Sequence, residues 1–449
     1  MQALKFITCG SVDDGKSTLI GRLLVDSRTV LQDQLASVTH TSHNGEVQTQ
    51  NVDLARLTDG LQAEREQGIT IDVAWRYFST ARRKFIIGDA PGHEQYTRNM
   101  VTAASAADCA VVLVDATKLD WADPQLQLLP QTRRHSLLAR LLRVNTIVFA
   151  VNKLDAVADP ARAFAHIGAA LRTFAEAAGI PVAATVPVSA LQGHNVVDAT
   201  PGWAGYTGPS LLSILEALPA TPADAVHAFS FPVQWVEKFH DSADTTQGRR
   251  VFWGRIATGQ VRVGDTVQVL PSGQTATVAQ VVNHARVSGP VDTGHSAGIT
   301  LDREVDVSRG DWLLAPTLGT DVSSLPPEGA LAALGRPGGG SGAPVVAREI
   351  KTTIAWMDEE PLVAGRVYWA LHGHRWVKAK VKRIVHRLNI NNLAEETAHE
   401  LPANAIGHVE LALQEPLATL PYEQSRVLGS IILVDTASHK TSGAVLVAA

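Results

Sequence analysis

Eight residues near the start of the chain, Gly10-Ser11-Val12-Asp13-Asp14-Gly15-Lys16-Ser17, restrict the possible folds more than any other stretch. An apolar run from Leu4 to Cys9 precedes them, short enough for a buried strand. Leu19, Ile20, Leu23 and Leu24 follow at helical spacing. The octet therefore joins a strand to a helix, and in that setting its pattern has a mechanism. Two glycines let backbone N–H groups wrap a polyphosphate, and the helix N-terminus turns its partial positive charge toward it. Lys16 is then expected to reach the β- and γ-phosphates, with the Ser17 hydroxyl on Mg²⁺ and Thr18 beside it. A serine-capped glycine turn is the plainer reading, and the flanking strand and helix argue against it.

Up to about Leu218, short apolar runs alternate with helical patterns. Strands are expected at Leu4–Cys9, Lys84–Gly88, Cys109–Asp115, Thr146–Val151 and Val182–Val186, and helices at Tyr96–Ala104, Gln131–Leu142 and Pro160–Ala178. Such alternation predicts a doubly wound, mostly parallel sheet whose ligand lies beyond the strands' carboxyl ends. After a Pro- and Gly-rich stretch the helical spacing stops. β-branched runs punctuated by Gly259, Gly264 and Ser272-Gly273 then predict a small antiparallel barrel. A break from Pro326 to Pro344 reads as a linker, and further strand-like runs follow it. The expected organisation is an α/β nucleotide domain at 1–222, a barrel at 223–325, a linker at 326–344 and a second barrel at 345–449.

Three further elements sit after expected strands. Asp89-Ala90-Pro91-Gly92-His93 would bring an Asp to Mg²⁺ through water and a glycine N–H to a γ-phosphate, with His93 able to orient an attacking water. In Asn152-Lys153-Leu154-Asp155, the Asp155 carboxylate can accept from both N–H donors on guanine's Watson–Crick edge. Adenine has no such pair and would leave the carboxylate unsatisfied. Ser189-Ala190 can give a backbone N–H to guanine O6. Between the first helix and Asp89, the Gly68-Ile69-Thr70-Ile71-Asp72 segment offers Thr70 to Mg²⁺ and the γ-phosphate, as a switch would. Arg82-Arg83-Lys84 reads as a solvated turn, and Arg133-Arg134-His135 as a solvated face or a partner surface.

Composition narrows the function classes. With 45% hydrophobic and 18% charged residues the chain is globular, and a net charge of -5 gives no basic field for nucleic acid. No run is long enough to cross a membrane and no leader precedes the first strand, so a cytoplasmic location is expected. Cys9 and Cys109 fall in apolar runs as buried thiols, and the 16 histidines lack zinc-ligand spacing.

Taken together, Gly10–Ser17, Gly68–Asp72, Asp89–His93, Asn152–Asp155 and Ser189–Ala190 resemble the translation-factor class of GTPases, a G domain followed by two β-barrels. Within that class the chain is most similar to the large, GTP-binding subunit of bacterial sulfate adenylyltransferase. The resemblance is carried by Thr8–Leu24, Asp59–Val73, His93–Met100 and Gln131–Ser136. Factors that carry aminoacyl-tRNA usually show His-Val-Asp-His where this chain has Ser11-Val12-Asp13-Asp14, and Arg at the position of Gln67. The resemblance implies a heterodimer with a small subunit that binds ATP and sulfate and forms adenylyl sulfate and pyrophosphate. This chain would couple that unfavourable step to GTP hydrolysis. Lys16 and Ser17 would hold phosphates and Mg²⁺, Thr70 would sense the γ-phosphate, His93 would position water, and Val12 and Ile69 would gate it. Ala90 stands where the family usually has Thr, and Leu119–Pro130 looks like an insertion. No second phosphate loop suggests a fused adenylyl-sulfate kinase. The alternatives are an elongation-factor-like GTPase delivering aminoacyl-tRNA and a regulatory scaffold on an ATP-using enzyme.

Overall fold

The computed structural model describes residues 3–27, 73–90, 97–144, 146–220, 224, 226–238, 250–316, 342–389 and 394–449. They divide into two compact units, Met1–Thr221 with Asn389–Ala394, and Pro222–Leu388 with Glu395–Ala449.

The first unit is built on a six-stranded sheet of β1 (Leu4–Cys9), β2 (Ala74–Ser79), β3 (Lys84–Asp89), β4 (Cys109–Asp115), β5 (Thr146–Asn152) and β6 (Val182–Pro187). Their order is β2-β3-β1-β4-β5-β6. Only the β2–β3 pair is antiparallel; β1, β3, β4, β5 and β6 run in parallel. Every residue of β4 is buried, which is why it reads as a continuous apolar run, as a strand covered on both faces must. Helices α1 (Lys16–Asp26), α2 (Thr97–Ser105), α3 (Pro130–Leu141), α4 (Pro160–Ala178) and α5 (Leu211–Ala217) alternate with the strands. Leu19, Ile20 and Leu23 of α1 and Leu211 and Leu215 of α5 join Leu4, Phe6, Val111 and Leu113 in one core. Helix α4 begins where Asp159 accepts from the Arg162 N–H at 3.1 Å, with Pro160 in the first turn, and stops at Gly179 in the left-handed region.

Register aligns the carboxyl ends. Thr8 lies opposite Asp89, Cys9 opposite Val112, Asp115 opposite Asn152 and Val151 opposite Pro187. The segments after β1, β3, β5 and β6 thus leave one edge of the sheet.

In the second unit β7 (Ser230–Lys238), β8 (Arg250–Arg255), β9 (Thr266–Leu270), β10 (Thr275–Asn283), β11 (Ser296–Leu301) and β12 (Trp312–Leu314) close a barrel. A second antiparallel circuit is formed by Val345–Trp356, Val367–His372, Arg375–Leu388, Ile406–Thr419, Ser430–Asp435 and Thr441–Val447. Each has its own apolar interior. A third cluster, including Leu270, Trp312, Leu314, Leu420 and Leu428, joins the two. Trp312 stacks on His372 at 5.0 Å, and Arg375 pairs with Asp311 at 2.9 Å.

Two sequence expectations change. The 82–84 stretch is not all solvated, because Arg83 is 8% exposed and donates to the carbonyls of Leu215, Glu216 and Leu218. Those are terminal carbonyls of α5, which lack partners within the helix and favour a nearby cation. Likewise Arg134 and His135 are buried, so of the 133–135 trio only Arg133 retains partial exposure.

Candidate functional site

The loop between β1 and α1 is held by its own residues and by the loops beside it. At Gly10 a Cβ would sit 2.8 Å from the Leu113 carbonyl oxygen, so a larger residue would push β1 and β4 apart. Gly15 has φ +92°, and a Cβ there would lie 2.5 Å from Asn152 Nδ2. Glycine is needed at both points for the backbone to curl this tightly. Lys16 is nearly buried and donates to the Ser11 carbonyl at 2.7 Å and to the Gly10 carbonyl at 3.4 Å. Burial lowers its pKa, opposed by the nearby Asp89 and Asp14 carboxylates. It is a desolvated cation resting on backbone carbonyls, weak partners compared with an anion. Ser17 and Thr18 are half-buried in the first turn of α1. The Ser17 hydroxyl makes no hydrogen bond among the described residues.

Asp89, at the end of β3, is buried and accepts from the Thr8 hydroxyl at 3.0 Å. Ala90 follows, fully buried, its N–H on the Thr8 carbonyl at 3.1 Å. Thr70, Pro91, Gly92 and His93 lie outside the described residues.

Asn152 joins three motifs. Its amide donates to the Asp14 carbonyl at 2.8 Å, and its side-chain oxygen accepts from the Ala190 N–H at 3.0 Å. Lys153, in the left-handed region, donates to the Asp13 carbonyl at 2.6 Å. Leu154 is fully buried, whereas Asp155 is half-buried and makes no hydrogen bond or ion pair among the described residues. The Ser189 N–H is taken by the His194 carbonyl at 3.1 Å. Both N–H groups expected to serve guanine O6 thus have protein partners here; the next amide, that of Leu191, has none among the described residues. Arg22 of α1 fixes this loop by donating to the Ala190 carbonyl at 3.2 Å and to that of Leu191.

Beneath the loop lies a charge network that the motifs do not announce. Asp14 is fully buried, accepts from the Ser11 N–H at 2.6 Å and pairs with Lys118 at 3.0 Å. Lys118 also donates to the Val12 carbonyl. Asp115, fully buried at the end of β4, pairs with Lys153 at 2.8 Å and accepts from the Thr117 N–H at 2.9 Å. Burial raises the Asp14 pKa more than Lys118 and Lys16 lower it. Burial also opposes ionisation of Asp115, but hydrogen bonds from Lys153 and Thr117 outweigh it and leave the pKa below the usual carboxylate range. Two lysines from separate loops therefore hold the carbonyls of Val12 and Asp13 while neutralising the acids below. Asp115 and Lys118 carry this work without a named motif; the only sequence signal was an Asp closing an apolar strand, as Asp89 does. His135 of α3 is fully buried, and burial, with Lys16 and Arg134 near, pushes its pKa down to about 3.

The family profile of the elongation factor Tu GTP binding domain matches residues 1–223, and that of the GTP-eEF1A C-terminal domain-like family matches residues 349–448. The chain is 43% identical to sulfate adenylyltransferase subunit 1 of Laribacter hongkongensis, over 98% of this chain and 84% of that protein. To the subunit of that name from Aeromonas hydrophila it is 44% identical, over 98% and 85%. It is 45% identical to the bifunctional enzyme CysN/CysC of Xylella fastidiosa, again over 98% of this chain but spanning 65% of that protein. With GTPase motifs gathered at one sheet edge and relatives matched nearly end to end, this chain belongs to the sulfate adenylyltransferase subunit 1 family, as its GTPase subunit.

Proposed function

We propose that the chain binds GTP with Mg²⁺ at the carboxyl edge of its sheet and couples GTP hydrolysis to adenylyl sulfate formation by a small, ATP- and sulfate-binding subunit. The observation that carries this reading is the Asn152 side chain, which ties the loop of Lys16 to the segments of Asp155 and Ala190. One nucleotide can then meet all three, its phosphates at one end and its purine at the other.

The amides of 10–17 wrap the phosphates, and Lys16 exchanges two carbonyls for phosphate oxygens. That exchange stabilises the bound state because a buried ammonium gains anionic partners without being desolvated again. Ser17 and Asp89 hold the metal, which supplies charge neutralisation to the phosphates. Thr70 completes its ligands, Gly92 contacts the γ-phosphate, and His93 positions water. Asp155 accepts from the two guanine donors, and the loop opened by Ser189-Ala190 meets O6.

Coupling requires that the hydrolytic state of this site be felt by the partner. The test is to co-purify the full chain with the products of its neighbouring genes and assay adenylyl sulfate formation with and without GTP. GTP-dependent formation is expected. Formation indifferent to GTP, together with binding of charged tRNA, would favour the elongation-factor-like alternative.

A further inference from the structure

The second unit carries three side chains outside the nucleotide edge that converge without an assigned role. His386 and His408 lie directly opposite each other on the antiparallel strands Arg375–Leu388 and Ile406–Thr419. Their ring centroids are 4.3 Å apart and the planes are tilted by 59°. The short strand Glu395–Glu396 pairs with the end of the first of these, Leu388 opposite Glu395. This brings a Glu395 oxygen to 3.3 Å from His386 Nε2. One ligand atom from each of the three lies within 4.8 Å of the others.

We propose that His386, His408 and Glu395 form a binding site for a divalent transition-metal ion, Zn²⁺ being the best match to two imidazoles and one carboxylate. Charge and register both favour it. The neighbouring carboxylates already have cationic partners: Glu396 pairs with Arg387 and Glu410 with Arg383, each at 2.7 Å. Glu395 instead faces the histidines.

Geometry sets a modest demand. Tetrahedral zinc, with bonds of about 2.0–2.2 Å, separates its ligand atoms by roughly 3.4 Å. Glu395 is 64% exposed and can swing inward, while His386 is anchored at 15%. Three protein ligands leave a fourth position for water. The ion would pin the two-residue strand onto the barrel, joining three strands at one point.

The probe is Zn²⁺ itself, titrated into metal-free full chain against a chromophoric chelator, with excess Mg²⁺ present to occupy the nucleotide edge. Co²⁺ substitution reports coordination through its visible absorption. One site per chain is expected, weakened at least ~10-fold in His386→Gln, His408→Gln and Glu395→Gln. His295→Gln, changing an exposed histidine of the other barrel, should leave it intact. Circular dichroism of each variant separates loss of ligand from loss of fold. Uptake that survives either histidine substitution in a folded variant, or no saturable uptake by the unaltered chain, would overturn the proposal.

Discussion

Asp155 makes no hydrogen bond or ion pair among the described residues, whereas the acids beside it, Asp14, Asp89 and Asp115, all have protein partners. This suits a residue whose partner is a base. Asp155→Asn replaces an acceptor of two charge-assisted hydrogen bonds by an amide that also presents a donor. A loss of about 2–3 kcal/mol, roughly 30–150-fold in GTP affinity, is expected by fluorescent-nucleotide titration, with the barrels' unfolding unchanged. Lys16→Ala should abolish GTP turnover in a phosphate-release assay while leaving the chain folded, since the loop's shape rests on Asn152, Lys118 and Lys153 as well. His135 makes a pH prediction. Its folded pKa of about 3 lies below the ordinary 6.5. Stability from its neutral form is complete above pH 6.5 and is lost as pH falls toward 3, because the unfolded chain takes up a proton that the folded unit refuses. The slope approaches about 1.4 kcal/mol per pH unit. Thermal unfolding between pH 7 and 4 should show a flatter acid limb in His135→Leu than in the unaltered chain. At this scale the sequence revealed residues whose chemistry follows from a short motif. It hid Asp14–Lys118, whose members are 104 positions apart, because only the fold brings those charges together.

At the scale of elements, β4 and β5 were legible because almost all their residues are buried and read as unbroken apolar runs, while β6, exposed at its start, was legible as a run of small and β-branched residues. Strand β2 was expected only as a run starting near Ile69 and ending before the turn at Arg82, without bounds of its own, because it is an edge strand in which only Phe78 is buried. The three-residue β12 and the Thr441–Val447 strand were missed, one too short and the other interrupted by Ser442 and Gly443. The role of Arg83 was misread for another reason: three adjacent basic residues imply solvent unless a helix end lies above them. Arg83→Ala should therefore weaken α5, by about 1–2 kcal/mol. Hydrogen exchange of the 211–217 amides is the measurement, and faster exchange confined to that helix is the expected result. Gly15→Ala should distort the 10–17 loop against Asn152 and lower GTP affinity without changing helix content.

Over the whole molecule, the described barrels share a packed cluster as well as having interiors of their own. Trp312→Ala should destabilise the second unit by about 3–5 kcal/mol and uncouple the unfolding of the two barrels, seen as a split calorimetric transition. Sequence rhythm foretold two barrels but not that cluster, because Trp312 lies on a strand too short to read and its partners come from the far end of the chain. No helix among the described residues is long and apolar enough to cross a membrane. The central claim is that GTP hydrolysis on this chain drives sulfate activation in its partner. The most direct measurement is the yield of adenylyl sulfate from ATP and sulfate in the reconstituted complex, followed to completion with GTP present. The account predicts a yield above the equilibrium of the uncoupled reaction, falling to that equilibrium with Lys16→Ala; the same yield from both complexes would contradict it.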